Sequence, residues 1–126
     1  MKTITMSTEK TFDAAHYLEF HEGKCKNMHG HTYKVMVEVE FPQKAIRGRP
    51  WVMDFAEFKA IIDEIINPLD HTCLNLKFGQ PTAENISMHI LNELIKQFDR
   101  KPREIRVHLW ETPENKVTAR WVNERK

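Results

Sequence analysis

The sequence predicts an α+β domain in which one antiparallel sheet carries two helices on a single face. Three observations lead there: two segments of alternating polarity come first, two segments of helical period follow, and a second strand-like pair closes the chain. Residues 5–17 alternate loosely, and residues 31–41, with Thr-Tyr-Lys-Val-Met-Val-Glu-Val-Glu-Phe, do so clearly. A loop over residues 19–28 joins these two strands. Gly48 and Pro50 break the pattern in residues 43–50, after which Asp54 and Glu57 resemble a capping box opening a helix to about Ile66. Phe55, Phe58, Ile61, Ile62 and Ile65 form its apolar stripe. Pro68 stops that helix, residues 69–81 read as a loop, and Thr82 is the expected N-cap of a second helix. Ile86, Ile90, Leu91, Leu94, Ile95 and Phe98 share one face of it. Residues 105–110 and 117–122 then read as a hairpin turning at 112–115. The order is ββααββ, with four strands in the sheet.

At 126 residues the chain suits one domain, spanning 1–126, with a single core. Nineteen basic residues against eighteen acidic ones leave a formal charge of +1, so no net field draws the chain onto nucleic acid or an anionic membrane. Apolar runs are short and the first residues lack the hydrophobic segment of a signal peptide, so a soluble cytoplasmic protein is expected. Two cysteines, Cys25 and Cys73, are too few for a disulfide framework. Four strands leave backbone unpaired at both sheet edges. One remedy is for several subunits to close their sheets into a common barrel.

The densest chemistry lies in Cys25-Lys-Asn-Met-His29-Gly30-His31. Alternate strand residues share a face about 6.6 Å apart, so His29 and His31 can converge on one ion. Gly30 points the other way and leaves room for a close approach. His16, at the end of the preceding strand, completes a three-histidine set if the two strands pair antiparallel. Three neutral nitrogens suit zinc and leave its fourth position open, the catalytic arrangement. Two other readings stand beside it: ordinary hydrogen-bonded strand histidines, or a closed structural site with Cys25 as fourth ligand. A free Cys25 thiolate beside the metal could instead act as a base. His21, His89 and His108 lack such company and are assigned to solvent or packing, and Cys73 to packing as a small buried apolar group.

Taken together, Phe12-Asp-Ala-Ala-His16-Tyr-Leu, Cys25-Lys-Asn-Met-His29-Gly-His31, Val52-Met-Asp54-Phe, Leu69-Asp70-His71, Pro81-Thr82-Ala-Glu84-Asn and Trp110-Glu111-Thr resemble the family of 6-pyruvoyl- and 6-carboxy-tetrahydropterin synthases. The motifs occur in family order over nearly the whole chain. Three residues between the cysteine and His-Gly-His resemble the carboxy branch, whose product feeds 7-deazaguanine nucleoside (queuosine) synthesis. The resemblance implies the tunnelling fold, with His16, His29 and His31 as zinc ligands, Cys25, Asp70 and His71 as catalytic residues, and Glu111 as pterin anchor. It further implies homohexamers of two barrel-forming trimers with active sites between subunits, which allows Cys25 to meet Asp70 and His71 of a neighbouring chain.

A carboxylate such as Glu111 can accept both adjacent N–H donors of a pterin's 2-amino-4-oxo edge, and Thr82 can add a hydrogen bond, though helix capping explains Thr82 equally well. Outside the motif context, Glu111 reads as a solvated strand end and Asp70-His71 as a turn after Pro68. The implied substrate is 7,8-dihydroneopterin triphosphate, whose side chain is polarised by zinc, deprotonated by Cys25 and served by Asp70-His71 as an acid–base pair. Loop cations Lys24, Lys26, Arg47 and Arg49 are candidates for the triphosphate. Two further functions remain open at this point: a pyruvoyl synthase that stops before carbon–carbon cleavage, and a non-catalytic zinc-stabilised pterin-binding oligomer.

Overall fold

The computed structural model describes residues 1–124. Strand β1, Thr3–His16, pairs antiparallel with β2, His29–Pro42, in a register that sets His16 opposite His29 and Ala14 opposite His31. Helix α1, Phe55–Ile66, begins at Asp54, whose carboxylate accepts the Ala56 N–H at 2.7 Å. A two-residue strand β3, Thr72–Cys73, follows. Helix α2, Ala83–Gln97, is capped by Thr82, whose hydroxyl accepts the Asn85 N–H at 3.2 Å. Such caps contribute about 1 kcal/mol each. The hairpin of β4, Glu104–Thr112, and β5, Asn115–Val122, completes the sheet in the order β3-β1-β2-β4-β5.

The α+β class and the four long antiparallel strands match the sequence-based expectation. The sheet is nevertheless mixed and five-stranded, because Thr72 and Cys73 pair parallel with Ala14 and Ala15 inside the stretch expected to be loop. Cys73 is accordingly half-buried at a sheet edge, not sealed in the core.

Alternation gives the sheet two unlike faces. Phe12, Tyr33, Val35, Val37, Val39, Ile105, Val107 and Leu109 point toward the helices and are buried against Phe58, Ile62, Ile86, Ile90 and Leu94. Phe55 departs from the expected stripe, being 74% exposed at the start of α1. The other face is polar: Arg106 there bonds Glu38, Glu40 and Glu104. Among the described residues the outer edge of β1 beyond Ala14–Ala15 is unpaired, and β5 has no strand outside it. The expected problem of open edges is therefore present in the single chain.

Candidate metal centre and catalytic groups

The register of β1 against β2 brings the three histidines together on the helix-bearing face. The ligand nitrogens of His16, His29 and His31 lie within 4.8 Å of one another. His16 is 1% exposed, and its Nδ1 lies 2.8 Å from the Pro81 carbonyl at the entry to α2. Nδ1 of His29 lies 2.8 Å from the Asn27 carbonyl. A carbonyl has no proton to give, so Nδ1 is the donor in both rings, and each neutral imidazole is left with its lone pair on Nε2.

Those two Nε2 atoms face each other at 3.0 Å. Two lone pairs at that distance repel unless a cation lies between them. Nε2 of His31 is buried beside them without a hydrogen-bond partner, and burial holds the His31 pKa below its usual range, which keeps the ring neutral. Neutral imidazoles fixed through Nδ1 by backbone carbonyls are the normal outer support of a metal-binding histidine set. The donor set fits a small divalent metal such as zinc.

Glu111 is the extra residue of a β-bulge, since Trp110 pairs with Lys116 and Thr112 with Asn115. Bulges re-aim side chains. Here the carboxylate stands 3.7 Å from His16 Nε2 and 3.6 Å from His31 Nε2, close to the cluster. Cys25 sits half-buried in a one-turn helix, Lys24–Lys26, between β1 and β2. Its sulfur is not among the clustered ligand atoms, so among the described residues no closed site of three histidines and a cysteine is formed.

Asp70 and His71 form a second cluster, with Asp13, on the other face of β1. His71 Nδ1 donates to Asp70 at 2.9 Å, and Asp70 accepts the Asp13 N–H at 2.9 Å. These bonds lower the Asp70 pKa, the Asp13 N–H first and His71 second, while the Asp70 bond raises that of His71. The His71 backbone takes a left-handed φ of 56°, held by its N–H bonding the Asp13 carbonyl at 2.6 Å. The ring is exposed. Among the described residues a Cβ on Gly30 would meet only the Ala14 carbonyl, at an ordinary 3.6 Å, so none of them demands glycine there.

Of the remaining expected residues, Thr82 serves as the helix cap described above, and its O–H stays free to donate. His108 is held between Glu38 and Thr118, His89 lies against Phe78, and His21 accepts the Gly23 N–H in an exposed loop. Sequence reasoning missed Pro81 and Asn27, which act through backbone carbonyls that any residue type supplies. Asp13 was missed as well, because its partner lies 57 residues away.

Residues 5–121 match the family model described as 6-pyruvoyl tetrahydropterin synthase. The 6-carboxy-5,6,7,8-tetrahydropterin synthase of Haemophilus influenzae is 37% identical over 86% of this chain and 92% of its own length. A dihydroneopterin monophosphate aldolase of Pyrococcus furiosus is 35% identical over 88% and 92%. Among solved structures, the Caenorhabditis elegans 6-pyruvoyl tetrahydropterin synthase superposes with a TM-score of 0.73 at 24% identity, covering 94% of this chain and 96% of that one, which is a likeness of fold. With one family model spanning both histidine-bearing strands, both helices and the strand that carries Glu111, the chain belongs to the 6-pyruvoyl tetrahydropterin synthase family.

Proposed function

We propose that the chain is a zinc-dependent 6-carboxy-5,6,7,8-tetrahydropterin synthase that converts 7,8-dihydroneopterin triphosphate to 6-carboxy-tetrahydropterin, triphosphate and acetaldehyde. The supporting observation is the cluster of His16, His29 and His31, its lone pairs turned inward beside Glu111, in a chain where three residues separate Cys25 from His-Gly-His. Zinc held by those histidines supplies a Lewis acid for the hydroxyls of the substrate's side chain.

The chain's own groups divide the remaining work. Glu111 accepts the paired N–H donors of the pterin edge, with the Thr82 hydroxyl at hand as a further donor. Cys25, as thiolate, removes a proton from the side chain. Asp70 fixes the His71 ring through Nδ1, leaving Nε2 to exchange protons with substrate. The reaction balances within the substrate and one water: the ring gains two electrons, the side chain loses them, and one carbon–carbon bond breaks.

Because the Asp70–His71 pair and the histidine cluster occupy opposite faces of β1, an active site containing both is built between copies. Closure of the open edges into a barrel, in a homohexamer, supplies that arrangement. A second reading, an aldolase acting on dihydroneopterin monophosphate, takes its weight from the Pyrococcus relative. The test is mass spectrometry of products after incubating zinc-loaded protein separately with the triphosphate and the monophosphate. The carboxy product and acetaldehyde are expected in equal amounts from the triphosphate. A product retaining the full side chain, or turnover of the monophosphate alone, overturns the reading.

A further inference from the structure

Strands β2 and β4 run together from Glu40↔Glu104 to Lys34↔Trp110, and there the pairing ends. Residues 29–33 of β2 continue without a β4 partner, while β4 bulges at Glu111. A cleft of about 550 Å³ opens where the strands part. Gly30, His31 and Thr32 line one side of it, Glu111 and Thr112 the other, and Lys34 and Trp110 lie at its base. The cleft thus joins a histidine of the metal cluster and the proposed pterin anchor to the polar face of the sheet.

On that face Lys34, Trp110 and Lys116 stand in one row across β2, β4 and β5. Both ammonium groups lie against the same indole, Lys34 Nζ at 5.0 Å and Lys116 Nζ at 5.2 Å from the ring centre. Among the described residues Lys34 has one carboxylate neighbour, Glu9 at 3.5 Å, in an ion pair exposed enough to be exchanged at little cost. Among the described residues no carboxylate lies within ion-pair distance of Lys116, whose amine is 3.5 Å from His108 Nδ1. Two cations gathered on one aromatic ring, next to the cleft, form a ready partner for an extended polyanion.

We propose that Lys34 and Lys116, spaced by Trp110, bind the triphosphate of the substrate. This assignment rests on the substrate being a pterin triphosphate, and it displaces the loop cations Lys24, Lys26, Arg47 and Arg49 from that role. Each ammonium group can pair with a different phosphate of the chain. A triphosphate carries more charge for the two cations to neutralise than a monophosphate does, so the row favours triphosphate.

The probe is inorganic tripolyphosphate, titrated calorimetrically into the intact oligomer, alongside its inhibition of turnover. Lys34→Gln and Lys116→Gln are each expected to weaken tripolyphosphate binding about tenfold and to raise KM with kcat little changed. Binding of dephosphorylated dihydroneopterin should not move. Inhibition should be competitive with substrate, which separates the substrate's own triphosphate from an unrelated polyanion bound elsewhere. Wild-type affinity retained in the double variant, loss caused instead by Arg47→Gln with Arg49→Gln, or non-competitive inhibition overturns the assignment, as does a wild-type protein that binds no tripolyphosphate. If the proposed reaction itself is wrong, turnover fails in the wild type while the calorimetric arm still decides whether the lysine row binds a polyanion.

Discussion

The two faces of β1 hold two groups of polar side chains under opposite physical conditions. Toward the helices, His16 is sealed from solvent, its tautomer set by Pro81, with His29 and His31 turned onto the same point. Toward the open face, Asp13, Asp70 and His71 are hydrogen-bonded to one another at the surface, with the His71 ring in water. The buried group brings its three ring nitrogens together within one chain. The exposed group is preorganised at an open surface hollow that Asp13 and His71 line with Gly30 and Thr32. A metal site needs several converging donors held rigidly, which a buried register supplies, whereas an acid–base pair has to meet a substrate, which an exposed edge allows.

The sharpest way to break this contrast is to remove one donor from the buried side. His29 is the most accessible route, since its ring is only partly buried and its loss leaves the core intact. His29→Ala should lower zinc affinity by more than the roughly 10–100-fold that loss of an outer partner costs, whereas His89→Ala should leave zinc content unchanged. Elemental analysis of dialysed protein, with circular dichroism to verify folding, checks both. Full zinc occupancy in folded His29→Ala protein ends the metal assignment.

The division between faces also predicts how variants combine. If Cys25 of one copy works with His71 of another, Cys25→Ala and His71→Ala are each inactive, yet co-assembled subunits regain activity. Random assortment at equal mixing restores roughly a quarter of the sites. Zinc content should persist in both variants, because neither residue belongs to the histidine cluster. Mixtures that stay inactive after subunit exchange place all three catalytic groups within one chain and sink the shared site.

How much of this the sequence made legible depends on the range of the interaction. Period-2 alternation fixed which strand residues share a face, so the convergence of His29 and His31 could be read directly, and that of His16 followed once antiparallel pairing was assumed. Strand β3 could not be read, because two residues carry no period. Helical period gives an angle around the axis but not whether anything lies beneath a given turn. Phe55 is therefore in phase with the stripe of α1 and still exposed. The bulge that aims Glu111 at the histidines is a property of pairing with β5, and the Pro81 and Asn27 carbonyls leave no mark on residue type.

The smallest expected effect tests the exposed side alone. The hydrogen bond that His71 donates to Asp70 raises the pKa of His71 in the folded chain, so its contribution to stability is present below the unfolded histidine value and is lost as pH rises through the higher folded one. Water screens so exposed a pair, and melting experiments should show little change. An NMR titration of the His71 ring reads the interaction directly: its midpoint should lie above that of a free histidine in the wild type and fall in Asp70→Asn, where the charge is gone but the shape is kept. The same substitution should shift the pH profile of turnover in the same direction if His71 exchanges protons with substrate in its charged form. An unchanged midpoint in Asp70→Asn means that the pair does not form in solution. His71 would then be an ordinary surface histidine, and the asymmetry between the two faces would reduce to the metal cluster alone.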